Sequence, residues 1–329
     1  MNKNILFRSA AAAALALAFG GQLCALEKVN LNMADAPASL VIYIGMEKGY
    51  FKQEGLDLNI IPGSSFTSAD KLNSLVSGVV DVFRMSYHTS MGELMPSANF
   101  RIVADAQRQV KGLARPSYFL VRKDLAGTVR TWGDLKGRTI ASYSPASPMQ
   151  IDVLRSLEKA GLSEKDLTIK NVAFGLRAGL LIAGELDVCM FLEPVAGQLV
   201  RMGVAEVFEN SSIAESDSEV ALMFYSGRFR KNKKSAQGFM NAYLRAVRDF
   251  QAMPMAEQQK IAGKYFPFPV DASSLAALHV GTDAAVDTAY LSGIQDYALA
   301  AGMIKKKTGP EQMYDFSWLA AARKALPAK

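Results

Sequence analysis

Apolar and polar residues alternate along "KVNLNMA" (Lys28 to Ala34), the two-residue period of a β-strand. After "DAPAS" the pattern changes. "LVIYIGMEKGYF" predicts a helix, with Pro37 suited to its first turn, Ser39 the nearest capping side chain and Gly49 its stop. "LDLNIIP" (Leu56 to Pro62) predicts a second strand. "GSSFTSADKLNSLVSG" predicts a loop and then a helix capped by Thr67 or Ser68 and ended at Gly78. Strands follow at Val79 to Met85 and Arg101 to Ala106. The rhythm restarts at "RTIASY" (Arg138 to Tyr143), with a helix from near Pro148 that carries Leu154, Leu157 and Ala160 at helical spacing. "LTIKNVAF", "GLRAGLLIAGE", "LDVCMFLE", "PVAGQLVRMG" and "VAEVFE" then read as strand, helix, strand, helix, strand. Beyond Gly227 the chain is mostly helical, to about Leu326.

Strands and helices alternating with such short connections predict parallel sheet wrapped by helices. Two such runs predict an α/β protein of two lobes, each a mainly parallel sheet flanked by helices. "SYFLVRKD" (Ser117 to Asp124) and "EVALMFYSG" (Glu219 to Gly227) read as the two crossings of a two-strand hinge. Residues 26–120 then start the first lobe, 121–218 form the second, and 219–329 return to the first. Lobes joined in this way can rock over a cleft.

Residues 1–25 read as a secretory signal peptide. Lys3 and Arg8 precede an apolar, Ala-rich run from Ala10 to Phe19, too short to span a bilayer comfortably. Cleavage is expected after Ala25, with Gly20 the alternative, and bulky Leu23 before Cys24 argues against a lipid anchor. A periplasmic location follows as an expectation. Lys3 and Arg8 leave with the leader, so the formal charge of +6 falls by two, too small an excess to imply nucleic acid binding. Of the two cysteines, cleavage leaves Cys189 inside an apolar run, which permits no intramolecular disulfide.

Catalytic signatures fail. The two histidines, His88 and His279, belong to no cluster with metal-ligand spacing, and there is no Gly-x-Ser-x-Gly elbow, Walker sequence or Gly-x-Gly-x-x-Gly. No enzyme, metal or cofactor is therefore expected. What remains is a set of polar loops after predicted strands, where open α/β sheets bind ligands and helix N-termini offer free N–H groups. Ser64, Ser65 and Phe66 fall in one such loop, Ser86, Tyr87 and His88 in a second, Ser142, Tyr143, Ser144 and Ser147 in a third. Each has a plain alternative: capping, packing or, for His88, a satisfied structural histidine. Phe174 either lines the cleft or packs. Arg108 and Arg115 lie near the crossing, where a guanidinium pairs a carboxylate or sulfonate bidentately or simply sits on the surface. Glu193 ends the apolar run Val188 to Leu192, where a carboxylate needs hydrogen bonds or charge.

"MEKGYFKQEGLDLNIIPGSSFTSADKLNSLVSGVVDV", "FLVRKDL", "TWGDLKGRTIA", "VLRSLEKAGLSEKDLTIKNV", "AGELDVCMFLEP" and "KSAQGFMNAYLRAVRDF" come in order along the chain. Together they resemble the periplasmic substrate-binding proteins of ABC importers, in the NMT1/THI5-like group that takes alkanesulfonates, nitrate and thiamine-pyrimidine precursors. The resemblance spans about residues 27–325. It implies a monomeric, hinge-bent receptor without chemistry of its own, whose partners are a small solute and an inner-membrane permease. It implies cleft positions at Ser39, Ser64, Ser65, Phe66, Ser86, Tyr87, Ser142, Tyr143, Ser144 and Glu193. Where the group often has Trp-Glu-Pro, this chain has Leu192, Glu193 and Pro194, which removes a stacking surface. An organic anion, sulfonate or aromatic carboxylate, held with help from Arg108, is the expected solute. A nitrogen heterocycle such as a pyrimidine is the alternative that Glu193 favours, because a carboxylate accepts from amino groups and repels anions. A ligand sensor for a membrane receptor is the other function class.

Overall fold

The computed structural model describes residues 25–34, 37–63, 68–114, 117–141, 147–170, 172, 174–208 and 217–327. Among the described residues, ten strands form two five-stranded sheets. In the first, β1 (Glu27–Met33) lies parallel to β2 (Leu56–Pro62) and to β3 (Val82–Met85). β10 (Ser218–Tyr225) runs antiparallel between β3 and β4 (Arg101–Gln109), giving the order β2-β1-β3-β10-β4. The second sheet repeats the design. β6 (Thr139–Ala141) is parallel to β7 (Thr168–Lys170) and β8 (Val188–Leu192), while β5 (Ser117–Arg122) runs antiparallel between β8 and β9 (Ala205–Val207). Each sheet is thus half parallel. The β-α-β stretches supply the parallel half, and the strands that carry the chain between lobes supply the antiparallel half.

The segment Ser117 to Asp124, expected as a crossing, is β5, a full member of the second sheet. Its buried Phe119, Leu120 and Val121 pair with Met190, Cys189 and Val188. Likewise Glu219 to Gly227 lies mostly in β10, bonded on both edges within the first sheet. A strand that ends in one sheet looks the same in sequence as one that crosses to another.

The first lobe is built around helix Lys233–Ala252, which buries residues on several faces, among them Phe239, Met240, Tyr243, Leu244 and Val247. Helix Leu40–Glu47 packs on it, as does the C-terminal helix Ser317–Ala325. Gly238 lets the long helix approach the backbone of Glu54, since a Cβ there would meet Glu54 Cβ at 3.1 Å and its carbonyl oxygen at 3.3 Å. The second lobe has a smaller core. Trp132 sits edge-on between Phe119 and Phe208, both centroids 5.5 Å away. Capping boxes at Thr131/Asp134 and Ser163/Asp166 fix the short 3₁₀ turns Trp132–Leu135 and Glu164–Asp166 of this lobe.

Candidate functional site

The loops that the sequence marks as candidates follow the carboxyl ends of β1, β2, β3, β6, β7 and β8. Ser64, Ser65, Phe66, Ser142, Tyr143 and Ser144 lie outside the described residues, as does Arg115. Phe174 opens the turn Phe174–Leu176.

Several of the remaining candidates are engaged in the fold. Ser39 is fully buried and donates its hydroxyl to the Ala34 carbonyl at 2.6 Å, tying the end of β1 to the helix that follows instead of capping it. Ser86 donates to the Val220 carbonyl at 2.6 Å, where the β10–β4 pairing shifts register. Tyr87 is 1% exposed in an apolar cluster with Phe83, Met91, Met95 and Phe100, and burial pushes its phenol far above the usual range. The carbonyl of His88 accepts from Met91 N at 2.9 Å at the start of helix Met91–Ala98. Ser147 caps helix Pro148–Lys159, accepting from Gln150 N at 3.2 Å.

Arg108 departs most from expectation. Its guanidinium turns inward: Nη2 donates to Glu219 Oε1 and to the Ala285 carbonyl, both at 2.9 Å, and Nε lies 3.5 Å from Asp105 Oδ2. Nothing local marks Glu219 as its partner, because the two residues are neighbours only once β10 has returned beside β4. The buried Asp105 and Glu219 carboxyls thus meet the same guanidinium. Burial, reinforced by the charge of Asp105, pushes Glu219 up to about 9, so it holds a proton at neutral pH.

Glu193 directly follows β8 and is joined by a cis bond to Pro194, which is the N-cap of helix Val195–Arg201 and not its first residue. Its Oε2 accepts from Gly197 N at 3.2 Å, so the helix N-terminus meets part of its charge. Burial, and to a lesser degree the negative charge of Asp271, raises its carboxyl above the ordinary range, while Gly197 N–H and Arg201 act against this. Asp271 belongs to the returning segment, where it caps helix Ala272–Ala276, close to the turn Pro37–Ser39 after β1. Arg201 Nη1 stands 4.0 Å from Asp271 Oδ2. The two lobes thus face each other through Glu193 and Arg201 on one side and Asp271 on the other. Gly197 leaves room for this group: a Cβ there would meet Arg201 Nη1 and Glu193 Oε2, each at 3.1 Å. Sequence reasoning missed Asp271 and Arg201. The only local signal was the capping pattern Asp-Ala-Ser-Ser, which says helix start and nothing about a cleft.

Residues 36–257 match the profile of the NMT1/THI5 like family. The chain belongs to that family. A curated relative, the putative binding protein YtlA of Bacillus subtilis, is 23% identical over 257 residues, which cover 75% of this chain and 74% of YtlA. The family fold recurs in the periplasmic nitrate-binding protein NrtA from Synechocystis PCC 6803, with a TM-score of 0.72 and 13% identity over 92% of this chain and 90% of that one. It recurs in the periplasmic aliphatic sulphonate-binding protein SsuA from Escherichia coli, with a TM-score of 0.65 and 15% identity over 88% and 92% of the two chains. The desulfurization enzyme DSZB shares the fold too, with a TM-score of 0.61 and 15% identity over 91% and 99%. The fold therefore hosts chemistry as well as binding. Among the described residues no group of His, Cys, Asp or Glu is placed to hold a metal ion, and no helix is long and apolar enough to cross a membrane. Cys189 is buried in β8, and burial pushes its thiol up to about 11, the opposite of an activated nucleophile.

Proposed function

We propose that this chain is the extracytoplasmic solute receptor of an ABC importer, exported by its leader to the periplasm, where it takes a small organic molecule between its lobes and hands it to an inner-membrane permease. It acts as a monomer and transforms nothing. The observation that carries this reading is the pair of similarly built sheets, joined at β4 and β10, whose loop ends oppose Glu193 to Asp271 across the gap. The lobes follow sheet membership: the first takes the chain up to β4 and again from β10, the second takes β5 through β9.

The described residues favour a solute rich in N–H donors, a nitrogen heterocycle or an amine, over a sulfonate or carboxylate. Glu193 and Asp271 set negative charge at the cleft, and Arg108, the cation an anionic solute was expected to use, is spent on Glu219. The anionic reading keeps one specific support, since Arg201 is largely exposed beside Glu193 and the relatives SsuA and NrtA are named for anions.

A thermal-shift screen over amino-pyrimidines, amines, alkanesulfonates and aromatic acids tests both readings, since a ligand of the native state raises the melting temperature. A shift with an amino-pyrimidine or amine supports the first reading, and one with sulfonates alone overturns it. Against an amino ligand, Glu193→Gln should weaken binding by about 1.5 kcal/mol, the worth of one charge-assisted hydrogen bond, as measured by titration calorimetry. Unchanged affinity would assign Glu193 to the shape of the rim.

A further inference from the structure

The lobes meet a second time, away from Glu193. Helix Pro148–Lys159 of the second lobe lies against helix Thr288–Ala300 of the first. Ile151, fully buried, packs with Ile294, Ala298 and Ile304. Around this apolar contact the polar groups are matched. Tyr290 donates its hydroxyl to Asp152 Oδ2 at 3.3 Å. Arg155 Nη2 donates to the Gly293 carbonyl at 2.9 Å, and its guanidinium lies 5.1 Å from the centre of the Tyr297 ring. Tyr297 in turn donates to Glu158.

The same seam is wired to the strands that join the lobes. Tyr290 N donates to Asp287 Oδ1 at 2.9 Å, and Asp287 N donates to Glu219 Oε1 on β10. Hydrogen bonds thus link the joining strands, the first turn of helix Thr288–Ala300 and Asp152 of the opposite lobe. The surroundings of the Asp152 carboxylate belong to both lobes. Its side chain is 13% exposed, with Arg155 of its own helix at 3.7 Å and Tyr290 from the facing helix. Glu219 bears on Tyr290 from the joining strands.

We propose that the Asp152–Tyr290 seam is a proton-sensitive catch between the lobes, holding them together in acid and releasing them toward neutral pH. Burial in the seam outweighs the opposing pull of Arg155 and Tyr290 and lifts the Asp152 carboxyl from 3.8 to about 6. When the lobes part, water reaches the group and it returns toward the lower value. The proton therefore binds the docked state more tightly. That preference is complete below the lower value and is lost as pH rises through about 6. Between pH 5 and 8 the ratio of docked to parted molecules should fall about tenfold.

Small-angle scattering of the full-length mature protein without added solute, from pH 5 to 8, tests this. The radius of gyration should grow with pH, with its midpoint near the Asp152 titration. Asp152→Asn, which fixes an uncharged side chain, should stay compact throughout. A radius constant in the wild type, or an Asp152→Asn variant that still expands, overturns the proposal. Tyr290→Phe removes a donor that favours the charged carboxylate, so its midpoint should move to higher pH. It decides the matter independently if the Asn variant does not fold, and an unmoved or lowered midpoint counts against the catch.

Discussion

In the first lobe, ionisable groups run through the interior. Arg84 is buried and donates to Gln107 at 2.8 Å, Asp105 and Glu219 both face Arg108, and Tyr243 reaches from the long helix to the Asp105 carbonyl at 2.7 Å. In the second lobe the sheet is as wide, yet most of its ion pairs stay on the rim: Arg122 with Asp124 and Asp187, Lys123 with Glu206, Lys170 with Glu185. Its interior is held by aromatic and aliphatic packing around Trp132. Both lobes follow one topology, so topology is not what sets this difference. Only the first lobe receives a second visit from the chain, and that return stacks helices thick enough to enclose charge. Enclosed charge must be paired, and in the interior of the first lobe that pairing links stability to protons.

The largest expected break in the comparison comes from cutting each core. Phe239→Ala removes a fully buried ring that sits 5.3 Å from Phe51 and 5.9 Å from Tyr225, and should cost about 3–5 kcal/mol. The two tryptophans report one lobe each, Trp132 the second and Trp318 the first. In denaturant titrations of single-tryptophan variants, the Trp318 signal should move further than the Trp132 signal, and Phe208→Ala should reverse that order. Coincident movement would make the lobes one cooperative unit.

Next in size is the proton pair. Glu219 normally titrates near 4.5 and is held at about 9 in the native protein, so the native state keeps a proton that the unfolded chain releases. Its stabilising contribution is whole below 4.5 and is lost as pH rises through about 9. The melting temperature should therefore fall from pH 5 to 9. Glu219→Gln, which can still donate to Asp105, should flatten that fall and gain about 1–3 kcal/mol at pH 8. A wild-type curve that is already flat would remove the contrast between the lobes.

Smaller effects belong to the second lobe. Ser147→Ala takes away the cap of helix Pro148–Lys159 and should cost about 1 kcal/mol in chemical denaturation. Lys123→Ala breaks an ion pair whose side chains are 58% and 47% exposed, and should change stability by less than about 0.5 kcal/mol, vanishing in high salt. A larger loss there would mean that the rim pairs carry stability after all.

Periodicity alone located nearly every strand and helix, because burying one face of an element requires an apolar repeat that local sequence must supply. It placed Glu193 correctly at a strand end beside a helix start, since Pro194 and the apolar run before it are local marks. It also marked Cys189 as a buried thiol. The sequence misled where a residue's neighbours come from far along the chain. Arg108 reads as a free cation until β10 returns 111 residues later with Glu219. Tyr87 reads as a cleft aromatic, yet it is buried in a cluster to which distant Leu222, Phe224, Leu291 and Met313 contribute. Asp152 and Tyr290, 138 residues apart, carry no shared mark at all. By itself the sequence determined the family, the elements and their order, because those rest on local pattern and composition. Which charges face solute, which face each other and which hold a proton was decided only by the tertiary structure, because electrostatic energy depends on distance and burial, and neither is written in neighbouring residues.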